Sequence, residues 1–213
     1  MKNQKYNPEI HHRRSIRLNG YDYSQPGFYF ITLCTKNREH LFGEIINNEL
    51  ILNDAGLNAV RFWKEIPKHF SNTKLHEFII MPNHVHGIIE IVGAKHLSPK
   101  NDRAKNVLPK NDRAKNVLPL RLCSQTIGSI VRGYKIGFTK WIHINQPIKY
   151  PLGSSPWQRN YWEHIIKTEI EYTKISQYII NNPLCWDNDK LNGGDGNTVL
   201  EDEIDYNLEL WMV

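Results

Sequence analysis

Two short stretches carry the residue types best suited to chemistry. The first is His84-Val85-His86, at the start of an apolar run. Side chains alternate along a β-strand, so both imidazoles would stand on one face, close enough to share a cation. Imidazole suits several divalent metals, and two protein nitrogens leave open positions for a substrate oxygen. The competing reading is an ordinary pair of strand histidines. The second stretch is Tyr178-Ile179-Ile180-Asn181-Asn182-Pro183, at the end of a predicted helix. Tyr178 and Asn182 are spaced i, i+4 and share a helix face, so the amide oxygen of Asn182 can complete a metal site with Tyr178 within a turn of it. Alternatively, Tyr178 is a core tyrosine and Asn182 only a helix stop before Pro183.

A tyrosine and a metal belong together for a chemical reason. A phenol has a pKa of about 10 and needs help to act as a nucleophile. A divalent ion on a non-bridging phosphate oxygen makes phosphorus more electrophilic and helps to position the attacking group. Tyrosine attack on a phosphodiester forms a phosphotyrosine link that conserves the bond for later rejoining. Two histidines, one amide and one tyrosine are sufficient for that reaction.

The elements that must position these residues are readable. Phe28–Thr35 is apolar on both faces, as in a central strand. Residues 42–52 predict a hairpin around Asn47-Asn48, residues that tolerate positive φ. Asn53 is a candidate N-cap for a helix reaching to about Phe70, with Leu57, Val60, Trp63, Ile66 and Phe70 at helical spacing. Strands are expected over Leu75–Met81 and His84–Val92, and a helix over 124–142 with Ile127, Val131, Tyr134, Phe138 and Trp141 as its buried stripe. Gly128, Gly133 and Gly137 weaken that helix and call for close packing or a ligand. Residues 157–166 can supply a fifth strand, and Thr168-x-x-Glu171 a capping box for a last helix ending before Pro183. This order implies an α+β fold with a largely antiparallel sheet and packed helices.

The chain has 213 residues, 40% of them hydrophobic, enough for one cored domain. Residues 28–187 form that domain, between a basic arm (1–27) and an acidic tail (188–213). Inside it, residues 93–119 contain the ten-residue unit Pro-Lys-Asn-Asp-Arg-Ala-Lys-Asn-Val-Leu twice, from Pro99 to Leu118. Two polar copies cannot build a solenoid, so they read as a duplicated surface loop. Net charge is +5, but residues 1–38 carry +5, residues 95–140 carry +9 and residues 187–213 carry −7. Such a split suggests a polyanion partner and a tail that could compete with it; the alternative is solvated charge on loops. Three scattered cysteines show no disulfide or zinc spacing, and no run suits a signal peptide or a membrane span. The expectation is a cytoplasmic protein without a membrane partner.

These residues carry a resemblance to a known family. The stretch Met81-Pro82-Asn83-His84-Val85-His86-Gly87-Ile88-Ile89 resembles the HUH motif (histidine, hydrophobic residue, histidine) of single-tyrosine transposases. Trp157-Gln158-Arg159-Asn160-Tyr161-Trp162-Glu163-His164, followed by Tyr178 to Pro183, looks like the branch associated with repetitive extragenic palindromes (REPs). The head, His12-Arg13-Arg14-Ser15-Ile16-Arg17-Leu18 with Gly20-Tyr21-Asp22-Tyr23, fits the same group, and the likeness covers about residues 11–187. The resemblance implies Tyr178 as nucleophile, His84 and His86 as metal ligands, and Asn182 in the third-ligand place where related insertion-sequence transposases usually have glutamine. It also implies a ferredoxin-like, HUH-endonuclease-type domain and Mg²⁺ or Mn²⁺. The implied substrate is single-stranded DNA with hairpins or palindromic repeats, cut through a 5′-phosphotyrosine intermediate with a free 3′-hydroxyl.

Arg13, Arg14, Arg17, Arg132 and Lys135 lie in the basic segments and are the expected phosphate contacts. Tyr161 and Trp162 can stack on bases or serve as core aromatics. A two-histidine RNA phosphoesterase needs two separate His-x-Thr/Ser motifs, and the one candidate, His69-Phe70-Ser71, sits at a predicted helix end. A transposase-derived protein that binds DNA without cutting it is the stronger rival. Neither the target sequence nor the choice between monomer and homodimer is legible.

Overall fold

The computed structural model describes Leu18, residues 20–93 and residues 125–192. Arg13, Arg14, Arg17, the duplicated loop and the acidic stretch beyond Asn192 lie outside the described residues.

The central strand β1 spans Gly27–Cys34. A hairpin follows, β2 (Gly43–Ile46) and β3 (Glu49–Leu52), turned by Asn47 and Asn48 at φ of 52° and 64°. That pair of positive φ values matches the twist of the flanking strands. Asn53 then caps α1 (Asp54–Lys64), its side chain accepting from the Gly56 amide. The expected single helix to Phe70 is broken at Glu65, and Ile66–His69 forms a separate turn, α2, with Pro67 in its first positions. Pro67 has no N–H to give to the Trp63 carbonyl four residues back, so the α1 ladder cannot continue, whereas the first turn of a new helix tolerates proline. Of the expected stripe, Trp63, Ile66 and Phe70 are buried but Leu57 is 57% exposed, and Ala55, Gly56 and Ala59 bury in its place.

β4 (Thr73–Ile80) and β5 (His84–Ile91) form the next antiparallel pair, with an irregularity between Leu75 and Phe78. α3 spans Ile127–Asn145 and is capped by Thr126. Ile130 and Ile142 join its buried side, while Trp141 is only partly buried. Gly133 and Gly137 earn their place by contact: an added Cβ would lie 3.0 Å from Phe70 and 3.2 Å from Phe62, respectively. The last strand, β6, is Trp162–Ile166; upstream of it Trp157 makes only an isolated bridge to Thr35. α4 spans Glu169–Asn181, capped by Thr168, whose side chain accepts from the Glu171 amide at 3.1 Å.

The four long strands form one antiparallel sheet in the order β4-β5-β1-β6. With α1 joining β1 to β4 by way of the hairpin, and α3 joining β5 to β6, this is the βαββαβ pattern of a ferredoxin-like α+β fold. Each face of the sheet has its own core. Tyr29, Ile31, Leu33, Val85 and Ile89 pack with α1 and α3, whereas Phe30, Ile88 and Ile166 pack with Ile175 and Ile179 of α4. Pairing of Cys34 with His84 and of Thr32 with His86 fixes which face the histidines take. By alternation, His84, His86 and Thr32 share the α4 face with Phe30.

Gly87 belongs to the opposite face. An added Cβ there would stand 2.4 Å from Trp63 Cζ2 and 2.9 Å from Phe78 Cβ. The missing side chain lets α1 seat Trp63 against β5. Among the described residues no helix is long and apolar enough to cross a membrane.

Candidate active site

At the start of β5 the two imidazoles meet edge to face, ring centroids 4.4 Å apart with a 65° interplanar angle. His86 is pinned on both nitrogens: Nδ1 pairs with Thr32 Oγ1 at 2.9 Å and Nε2 with the Tyr178 hydroxyl at 3.3 Å. Phe30 stacks on the His86 ring and meets the Tyr178 ring edge-on. Helix α4 thus delivers Tyr178 to the histidine pair.

His84 is held differently. Asn83 Nδ2 donates to the Leu191 carbonyl at 2.8 Å, which leaves its Oδ1 to accept from His84 Nδ1 at 2.7 Å. The proton of neutral His84 therefore sits on Nδ1, and Nε2 presents a bare lone pair. That atom has no hydrogen-bond partner, and neither has Asn182 Oδ1. Asn182 is still near enough to favour the protonated form of His84.

His84, His86 and Asn182 are 0%, 1% and 2% exposed. Burial holds His84 well below its ordinary pKa, and the neighbouring His86 lowers it further. Burial alone pulls His86 down to about 3. Both rings are therefore neutral near pH 7, the form that ligates metals. Trp186 covers His84, with ring centroids 6.1 Å apart.

These donors fit a small divalent cation by type: imidazole nitrogens, an amide oxygen, and two buried polar atoms otherwise unsatisfied. Among the described residues no three His, Cys, Asp or Glu side chains alone are placed to hold a metal, so Asn182 is indispensable to such a site.

Sequence reasoning missed several neighbours. Thr32 meets His86 only through strand register. Asp189 is 2% exposed, and its Oδ2 lies 3.9 Å from His84 Nε2. Arg38, in a short turn with φ of 54°, donates to the Lys190 carbonyl at 2.7 Å and acts electrostatically on both His84 and Asp189. Composition places Asp189 in the acidic tail, but the fold continues past Trp186 through two 3₁₀ turns, Asn182–Asn188 and Lys190–Asn192.

Arg132 and Lys135 lie together on α3, lining a groove of about 510 Å³ with Lys140, Arg159, Trp157 and Tyr161. This groove belongs to the helical layer opposite α4. The Lys135 ammonium is largely enclosed, donating to the carbonyls of Gln158 (2.9 Å) and Asn160 (2.8 Å), and burial lowers its pKa to about 8. An ammonium has three N–H groups, so ordering this loop leaves one for a phosphate.

A protein of Haemophilus influenzae known only as uncharacterized is 50% identical over 190 residues, 88% of this chain and 97% of that protein. The sequence matches no family model. A REP-associated tyrosine transposase solved bound to a REP hairpin aligns over 79% of this chain and 73% of its own, with a TM-score of 0.48 and 18% identity. A candidate transposase from Deinococcus radiodurans aligns over 78% and 95%, with a TM-score of 0.41 and 17% identity. At these scores the structural likeness carries no argument about function, which rests on the residues of the site.

Proposed function

The chain belongs to the same family as the uncharacterized Haemophilus influenzae protein, and we propose that it acts there as a metal-dependent single-tyrosine DNA transposase or endonuclease. The observation that carries this reading is the Tyr178 hydroxyl, 3.3 Å from His86 Nε2 and beside the unsatisfied His84 Nε2 and Asn182 Oδ1. His84, His86 and Asn182 would hold the cation. When bound, Mg²⁺ or Mn²⁺ would draw charge from a non-bridging phosphate oxygen.

The chain's own residues do the rest. Tyr178 Oη attacks phosphorus and gives up its proton; the bond to the 3′ oxygen breaks, and that oxygen takes up a proton as a free 3′-hydroxyl. The product is a 5′-phosphotyrosine, and reversal with another 3′-hydroxyl rejoins the strand. Thr32 holds the His86 ring and Asn83 holds that of His84, so neither imidazole needs to reorient during the step. Arg132, Lys135 and Arg159 would bind phosphates along the α3 groove, with Trp157 and Tyr161 offering aromatic surface. The substrate class is single-stranded DNA carrying a hairpin or palindromic repeat, handled in the cytoplasm.

The near-complete burial of both imidazoles favours a second reading, a DNA-binding protein of transposase descent that no longer cuts. Incubating the protein with single-stranded hairpin DNA and Mn²⁺ separates the two. Cleaved strands support the enzyme; a retained complex with intact DNA supports the binder.

A further inference from the structure

Asp189 lies where the chain folds back over the histidines after α4. The residue closes the first 3₁₀ turn, its amide donating to the Trp186 carbonyl at 3.2 Å. Its two carboxylate oxygens have different fates. Oδ1 accepts from the Leu191 amide at 2.6 Å and so fixes the turn. Oδ2 is buried without a partner and faces His84 Nε2 at 3.9 Å. Because Asn83 places the His84 proton on Nδ1, two lone pairs confront each other there. A third unsatisfied acceptor, Asn182 Oδ1, belongs to the same buried group.

The Asn182 amide also acts on the Asp189 carboxylate, yet three buried acceptor atoms are still left without a partner, a costly arrangement that a cation between them would relieve. The amides of Leu191 and Asn192 and the charge of Arg38 act on the carboxylate, but none of them leaves Oδ2 with a hydrogen-bond partner. From this geometry we infer that Asp189 is a further ligand of the cation, supplying Oδ2 beside His84 Nε2 and Asn182 Oδ1. The inference rests on the metal reading above and adds a donor to it; the His and Asp side chains do not by themselves form a three-donor metal group as they stand, so Asp189 Oδ2, 3.9 Å from His84 Nε2, would close in as the ion binds. A carboxylate contributes negative charge as well as a hard oxygen, and both favour Mg²⁺ or Mn²⁺ over softer ions.

Asp189→Asn tests this cleanly, since Asn retains an Oδ1 for the Leu191 amide and loses only the charged oxygen. Mn²⁺ binding is measured by electron paramagnetic resonance titration on wild type, His84→Ala and Asp189→Asn, with thermal melting in EDTA as the folding control. Wild type should bind Mn²⁺, and Asp189→Asn should bind it on the order of ten-fold more weakly or worse, while melting no lower than wild type without metal. Wild-type affinity in Asp189→Asn alongside loss in His84→Ala overturns the role of Asp189 and leaves the metal reading standing. No Mn²⁺ uptake by wild type overturns both. Should Asp189→Asn not fold, wild-type protein carrying ¹³C-labelled aspartate carboxylates gives the answer: a hyperfine coupling to bound Mn²⁺ supports the assignment, and its absence refutes it.

Discussion

Acid should destabilise the metal-free protein through its buried imidazoles, and His86 allows the magnitude to be worked out. In the unfolded chain a histidine takes up a proton near its ordinary value of 6.5, whereas burial holds His86 at about 3 in the fold. Between those values the unfolded state binds a proton that the folded state refuses, so lowering the pH favours unfolding. Each pH unit in that window is worth about 1.4 kcal/mol. Going from neutrality to about pH 5 crosses roughly 1.5 units of it, so His86 alone should remove about 2 kcal/mol of stability. His84, also held low by burial, acts with the same sign. Asp189, raised by burial, acts with the opposite sign, but it is common to wild type and variant. Urea melts in EDTA at about pH 7 and about pH 5, for wild type and His86→Gln, isolate the effect. The variant should lose about 2 kcal/mol less than wild type over that interval. Equal losses would show that His86 is not kept neutral by the fold, and the argument from burial would fail.

Gly87→Ala forces a methyl group to within 2.4 Å of Trp63, and overpacking of this kind costs roughly 1–3 kcal/mol; an unchanged melting temperature would show that Trp63 has room to move. Thr168→Ala removes the hydroxyl that caps α4 and should cost about 1 kcal/mol in a denaturant melt, with no loss refuting the cap's contribution. Affinity for single-stranded hairpin DNA should fall steeply with salt, and Arg132→Ala should reduce the slope of log affinity against log salt by about one unit. A slope unaffected by that substitution would remove Arg132 from the phosphate contacts.

Much of this fold is written locally. Asn47-Asn48 turns a hairpin because both residues accept positive φ, and Asn53 and Thr168 start helices because their side chains satisfy free amides. The alternation of His84 and His86 also carried over from sequence to strand face. Pro67 is the local signal for the break that separates α1 from α2, because it lacks the N–H that would continue the α1 ladder. Leu57 could not have been placed: helical periodicity cannot choose between adjacent faces when small residues such as Ala55 and Ala59 make the contact. Thr32 becomes a partner of His86 only when strands 54 residues apart pair in register. Asp189 was hidden for another reason. Pro183 suggests that the chain leaves the fold, yet proline fits the first positions of the 3₁₀ turn that carries Asp189 back to His84.

The nucleophile is the centre of the account, and one measurement addresses it directly. Protein incubated with Mn²⁺ and single-stranded hairpin DNA is denatured, digested and searched by mass spectrometry for a nucleotide linked to tyrosine, in wild type and in Tyr178→Phe. That substitution removes one oxygen and keeps the ring against Phe30 and His86, so folding and DNA binding should persist. The adduct should lie on Tyr178 in wild type, and Tyr178→Phe should give neither adduct nor cleavage. An adduct on Tyr172 or Tyr161, or strand cleavage by Tyr178→Phe, would contradict the assignment.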